Sequence, residues 1–381
     1  MPVWIHQVET ILPEISFSQE QASQKMQDWY KDDRTRRIIR VLYRQSGIEK
    51  RHSVITNFDG NEAGSFFKTG PDALLRGPGT AARNDIFALE SRSLSVALAR
   101  KVLDRCPGVG PMEITHVVTA SCTGFYNPGP DFYIVCDLGM PFSTQRYHLG
   151  FMGCYAAFPA LRMAAQFCQA DPDAVVLVMC LELCSLHLQM NGNEDSLLAN
   201  SLFADGAGAA IVSARPPAPG QSAYRIDDFQ SALVPSGEKD MAWRIGDHGF
   251  DIALSTYVPK IIGANIREFI EPSLARIGIR MADVDTWAVH PGGKSIIDQV
   301  QASLSLRPEQ VRASREVLRN FGNMSSATIL FVLQEILRQP CRSDSEKVCA
   351  MAFGPGLTVE MALLQAHRAG SGAGGEEACP P

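Results

Sequence analysis

Three side chains in this sequence have the chemistry of acyl transfer and carbon–carbon bond formation: Cys154 in GCYAA, His290 in AVHPGG and Asn323 in GNMSSA. A thiolate is the nucleophile that acyl transfer needs, and it can hold an acyl group as a thioester. A histidine and a primary amide are donors that steady an enolate or oxyanion. Together they are the parts of a decarboxylative Claisen condensation.

Each residue also has an ordinary reading. Cys154 opens an apolar run that reads as a helix from Gly153, where unpaired N–H groups and the helix dipole favour a thiolate. The chain has ten cysteines, however, and most sit in apolar runs as small buried hydrophobes. His290 ends the strand TWAVH at a sheet rim, where ligands bind in open α/β sheets, or it is a satisfied surface histidine. Asn323 is a helix N-cap, a role Ser325 or Ser326 could share, or a donor to an oxyanion.

The elements that carry these residues occur twice. Residues 116–213 run as strand HVVTAS, helix GCYAAFPALRMAAQFC, strand AVVLVMCLE and strand DGAGAAIVSA. Residues 285–367 run as strand DTWAVHP, helix GNMSSATILFVLQEILRQ, strand KVCAMAFGPG and strand LTVEMALLQA. Each central helix opens on glycine followed by a reactive residue. The pattern predicts two similar α/β halves, 1–220 and 221–368, sharing one site, with residues 369–381 as a disordered tail. The first 90 residues read as polar and helix-like. Their basic cluster, Arg34, Arg36, Arg37 and Arg40, is either a solvated face or a holder of a phosphate-bearing cofactor.

Composition narrows the class. Apolar residues make up 45% and charged residues 20%, as in an ordinary globular protein. The net charge of -6 and the spread of lysine and arginine along the chain leave no footprint for nucleic acid. No apolar run reaches membrane-spanning length, and no basic-then-apolar leader opens the chain, so a cytoplasmic protein without membrane insertion is expected. No CxxC pair is present, which argues against structural zinc or a disulfide framework. The turns DGAGAA (205–210) and FGPGLTVE (353–360) lack the GxGxxG context and are read as shaping a cavity, not as binding NAD or ATP. No metal and no cofactor are expected.

The segments GCYAA, AVHPGGKSIIDQV, GNMSSA and AFGPGLTVE, in this order within a likeness running from about residue 47 to 367, resemble the signatures of type III polyketide synthases of the chalcone synthase kind. The resemblance implies a thiolase-like αβαβα layered fold and a homodimer with an independent site in each subunit. It implies an acyltransferase that uses acyl-CoA and malonyl-CoA directly as substrates. By resemblance, Cys154 is the acylated nucleophile, and His290 keeps it ionised and with Asn323 orients malonyl-CoA. Phe203 is the gatekeeping phenylalanine, and Ile252 stands at the second gate, where chalcone synthases carry phenylalanine. Ser325, Gly354 and Pro355 are expected at the substrate, and Lys50 and Arg51 at CoA.

Where plant enzymes line the cavity with small threonines this chain has Cys122, Cys184 and His187, and Trp243 replaces a glycine. SCTGF and ELCSLHLQ are closer to bacterial members. Ile252, Cys122 and Cys184 release volume that Trp243 and His187 take back, and the balance is read as room for a long-chain fatty acyl starter, giving an alkylresorcinol or alkylpyrone. The alternatives are a malonyl-CoA-only synthase making tetrahydroxynaphthalene or phloroglucinol, and a ketoacyl-ACP synthase III-like enzyme. From another class, a non-catalytic acyl-CoA-binding protein is disfavoured by the retention of all three reactive residues.

Overall fold

In the computed structural model, which describes residues 1–58, 65–68, 77–339 and 345–368, the apolar runs become strands buried on both faces. Their order across a nine-stranded sheet is Thr286–Val289, Ser345–Gly354, Thr358–His367, Ala223–Leu233, Val3–Ile11, Asp205–Ser213, Val175–Leu183, His116–Ser121 and Gln145–Gly150. The expected tail, 369–381, lies outside the described residues.

The two halves repeat a pairing pattern. His116–Ser121 runs parallel to Val175–Leu183, which pairs antiparallel with Asp205–Ser213. Thr286–Val289 runs parallel to Ser345–Gly354, which pairs antiparallel with Thr358–His367. Val3–Ile11 and Ala223–Leu233 join them, with Val3 opposite Ile226 and Ile5 opposite Tyr224. That N-terminal strand corrects the helix-like reading of the first 90 residues. Its polar side chains find distant partners: His6 bonds the Ser213 hydroxyl at 2.8 Å, and Glu9 pairs with Lys101 and Arg105.

Side chains alternate across a strand, and the alternation builds the layers. Val118, Val176 and Val178 face the central helices Ala157–Ala170 and Thr328–Arg338, which share one core with strands of both halves. Val117, Leu177 and Met179 face outward against the helix Thr80–Asp104. In the second half Cys349, Met351 and Phe353 face the helices Val258–Ala275 and Lys294–Leu304. The result is the αβαβα layering that the resemblance implied, built from two similar halves.

The central helices start later than the sequence suggested, at Ala157 and, after a 3-10 turn Ser325–Ala327, at Thr328. Phe151, Gly153, Gly322 and Ser325 have φ of 61°, 88°, 72° and 45°. That is left-handed backbone, which ends any right-handed helix. Among the described residues no helix is long and apolar enough to cross a membrane.

Candidate active site

Cys154 comes from the first half, His290 and Asn323 from the second, and all three line one cavity of about 550 Å³. Cys154 sits in a turn three residues ahead of its helix. That turn is clamped by the loop after Ser345–Gly354: a Cβ on Gly153 would lie 2.4 Å from Pro355 Cδ, and one on Gly354 would lie 2.4 Å from the Tyr155 ring. The FGPG segment therefore lets two backbones meet beside Cys154.

Burial pushes the Cys154 thiol up to about 12; the Ser325 hydroxyl and the Asn323 amide donate toward the sulfur and oppose this, while the Glu182 carboxylate adds to it. The helix dipole therefore does not by itself ionise this cysteine. His290 follows the strand Thr286–Val289, its backbone N–H held by Met351 O at 2.8 Å. Its ring is buried, neither ring nitrogen has a hydrogen-bond partner among the described residues, and burial pushes its pKa down to about 3. Burial thus drives each group toward its neutral form, and a thiolate at Cys154 needs an imidazolium opposite it.

Asn323 is not the N-cap of either following helical segment, a place that Met324 and Ala327 take without a side-chain bond; its amide closes the turn ahead of them. Its Oδ1 accepts from the Ser325 N–H at 2.9 Å, while Nδ2 donates to Gly292 O at 3.2 Å and has a second N–H to offer. Its backbone is laced to the segment around Phe203, with Asn323 N–H on Leu202 O at 2.9 Å and Ala204 N–H on Asn323 O at 2.8 Å.

Phe203, Cys122, Cys184, Trp243, Ile252, Ser325 and Pro355 also line the cavity, and Gly354 backs it. A narrow chamber of about 80 Å³ adjoins it and shares Cys184, Phe203, Trp243 and Ile252. Trp243 and Ile252 are cross-strand partners in the hairpin Met241–Gly246 and Gly249–Leu254. The two departures at the cavity mouth are therefore one structural unit. His187 lines only the narrow chamber and is a strut: Nε2 donates to Thr123 O at 2.7 Å and Nδ1 accepts from the Phe250 N–H at 3.1 Å. It stacks on Phe250 with ring centres 4.0 Å apart, and burial lowers its pKa to about 3.

The CoA expectation fares differently. Lys50 is exposed and lines neither cavity. Arg51 lines the narrow chamber and is committed to the segment around Phe203, donating to Asn200 O at 2.8 Å and Phe203 O at 2.7 Å and stacking on Tyr43.

Sequence reasoning passed over Glu182. This buried carboxylate ends the strand Val175–Leu183 and accepts from the Cys122 N–H at 2.9 Å, the Thr123 hydroxyl at 3.1 Å and the Ser326 hydroxyl. Burial nonetheless pushes it up to about 7. The signal was an acid closing an otherwise apolar strand, a place where charge is rarely left unpaired. Asp205 is a second case, pushed up to about 6 by burial and bonded to Ser185 and the Val54 N–H. No group of three or more His, Cys, Asp or Glu side chains among the described residues is placed to hold a metal.

Residues 4–216 match the family model of chalcone and stilbene synthases, N-terminal domain, and residues 226–367 match the C-terminal domain. The chain is 31% identical over 373 residues to the alpha-pyrone synthesis polyketide synthase-like Pks18 of Mycobacterium tuberculosis, covering 96% of this chain and 91% of that protein. PKS-I from the brown alga Ectocarpus siliculosus superposes with a TM-score of 0.86 at 28% identity, covering 96% of this chain and 98% of that one. The C-terminal type III polyketide synthase domain of Steely1, a type I/III hybrid from Dictyostelium, gives 0.85 at 26% identity, covering 97% and 100%.

Proposed function

Since this chain belongs to the chalcone and stilbene synthase family and is a type III polyketide synthase, we propose that it extends a long-chain fatty acyl-CoA with malonyl-CoA and closes the product to an alkylpyrone. His290, as neutral imidazole, takes the Cys154 proton while sulfur attacks the starter thioester; CoA leaves and the acyl group stays on Cys154. Malonyl-CoA then loses carbon dioxide, and the enolate oxygen accepts hydrogen bonds from the His290 and Asn323 N–H groups. The enolate carbon attacks the Cys154 thioester, forming the new carbon–carbon bond and releasing the sulfur. Repetition lengthens the chain. None of these steps calls for a cofactor or a metal.

The observation that carries the starter assignment is the apolar chamber that adjoins the main cavity, with Phe203, Trp243, Ile252 and Cys184 as the partition between them. An alkyl tail passing that partition leaves the water, at about 0.8 kcal/mol per buried methylene. Pyrone closure is favoured over resorcinol closure by the likeness to the alpha-pyrone synthesis polyketide synthase-like Pks18 of Mycobacterium tuberculosis. A second reading, a synthase using malonyl-CoA alone, is favoured by the bulk of Trp243 and the narrowness of the chamber.

We read the chain as two halves dividing near residue 220 and as a cytoplasmic homodimer. Phe142 and Leu89 are 90% and 71% exposed, and Leu89 lies on Thr80–Asp104, which packs on Pro130–Asp137. That is apolar surface suited to a second copy.

The test is to incubate purified protein with malonyl-CoA and acyl-CoA starters from acetyl to stearoyl, with products identified by liquid chromatography and mass spectrometry. Starter-dependent alkylpyrones support the reading. A product from malonyl-CoA alone would replace it with the second, and no product with any starter would point to a carrier-protein substrate.

A further inference from the structure

We infer that the outer face of the helix Asp33–Gln45 docks on an anionic lipid bilayer. Arg34, Arg37, Val41 and Arg44 are spaced so that they share one face of this helix, and all four are exposed. Asp32 caps the helix through the Thr35 N–H at 2.7 Å, and Asp32 and the exposed Asp33 are the acids at the N-terminal end of the strip, beside Arg34. Arg37 and Arg44 make no hydrogen bond or ion pair among the described residues. Arg36 and Arg40 are turned back onto Gln27, at 3.2 and 3.1 Å. A chain with a net charge of -6 thus carries a cationic strip with an exposed valine in its middle.

The opposite face of the same helix is apolar. Ile39 and Tyr43 are buried, and Tyr43, with Met26 and Trp29, walls the narrow chamber. Guanidinium groups stand outside and an apolar chamber lies within, the order of groups that a bilayer presents as headgroup and acyl layer. The arginines do not converge on a point. Arg34 and Arg44 are ten residues apart, about 15 Å along a helix, which suits several headgroups in a plane and not one phosphate. The inference stands whichever starter is used.

The test is co-sedimentation of the full-length chain with phosphatidylcholine vesicles and with vesicles that also contain phosphatidylglycerol, at low salt and at about 0.5 M salt, where surface attraction is screened. The expected result is retention on the anionic vesicles only, reversed by salt. Arg34→Gln with Arg37→Gln and Arg44→Gln should weaken retention on the order of 100-fold, since each cation near the surface contributes roughly fivefold. The melting temperature of the variant, read alongside, should not change. Absence of retention on anionic vesicles would overturn the proposal, as would retention that the triple variant leaves intact. A variant that raises KM for malonyl-CoA while vesicle retention stays unchanged would assign these arginines to the phosphates of CoA instead.

Discussion

The indole N–H of Trp243 donates to the carbonyl oxygen of Cys122 at 3.1 Å, and Cys122 in turn accepts the Gly153 N–H on its sulfur at 2.9 Å. The partition between the two chambers is therefore fastened to the backbone one residue from the nucleophile. Trp243→Ala should join the chambers and move the preferred starter to longer chains. Each added methylene that gains burial is worth roughly fourfold in kcat/KM, from about 0.8 kcal/mol. An unchanged chain-length profile would show that Trp243 is not the partition.

Its cross-strand partner gives the opposite change. Ile252→Phe puts an aromatic ring at the same mouth and should shorten the accepted starter while leaving acetyl-CoA turnover within a few fold. Competition between short and long acyl-CoA in one tube reads this directly.

These two residues also mark the limit of what the sequence discloses. Buried strands were legible because Val, Ile and Ala runs of the right length have few other solutions, and His290 stood directly after the strand end that the folded chain uses. The strand Val3–Ile11 was hidden because His6 and Glu9 look solvent-facing until Ser213, Lys101 and Arg105 arrive from far along the chain. The helix starts were misplaced because the left-handed φ at Gly153, Gly322 and Ser325 falls inside runs that read as continuous helices. The pairing of Trp243 with Ile252 depends on hairpin register, which nine residues of spacing do not specify.

Asn323→Ala removes both a turn-closing acceptor and a donor, and the two losses appear in different measurements. Condensation should fall 10²–10³-fold, as for one oxyanion-hole donor, while loss of the buried turn hydrogen bond should cost about 1 kcal/mol of stability. A stability loss with unchanged turnover would leave Asn323 with the structural role alone.

Glu182 makes stability depend on pH. Its folded-state pKa is raised from 4.5 to about 7, so the folded protein binds the extra proton. That contribution is fully present below pH 4.5 and is lost as pH rises through 7. Glu182→Gln, which stays neutral, should gain up to about 3 kcal/mol on the wild type between pH 5 and pH 8. Denaturant midpoints at several pH values measure it, and parallel curves for the two proteins would refute the assignment.

His290→Gln should raise the pH at which Cys154 is alkylated by iodoacetamide, because it removes the only imidazole that lines the main cavity among the described residues. Identical pH profiles would mean that His290 does not take the thiol proton.

The central claim is that Cys154 carries the growing chain. The most direct measurement is intact-protein mass spectrometry after brief exposure to a long-chain acyl-CoA without malonyl-CoA, followed by peptide mapping of the wild type and Cys154→Ala. The account predicts one acyl group on the peptide containing Cys154 and none on the variant. An acyl group on the variant, or one mapped to Cys122 or Cys184, would contradict it.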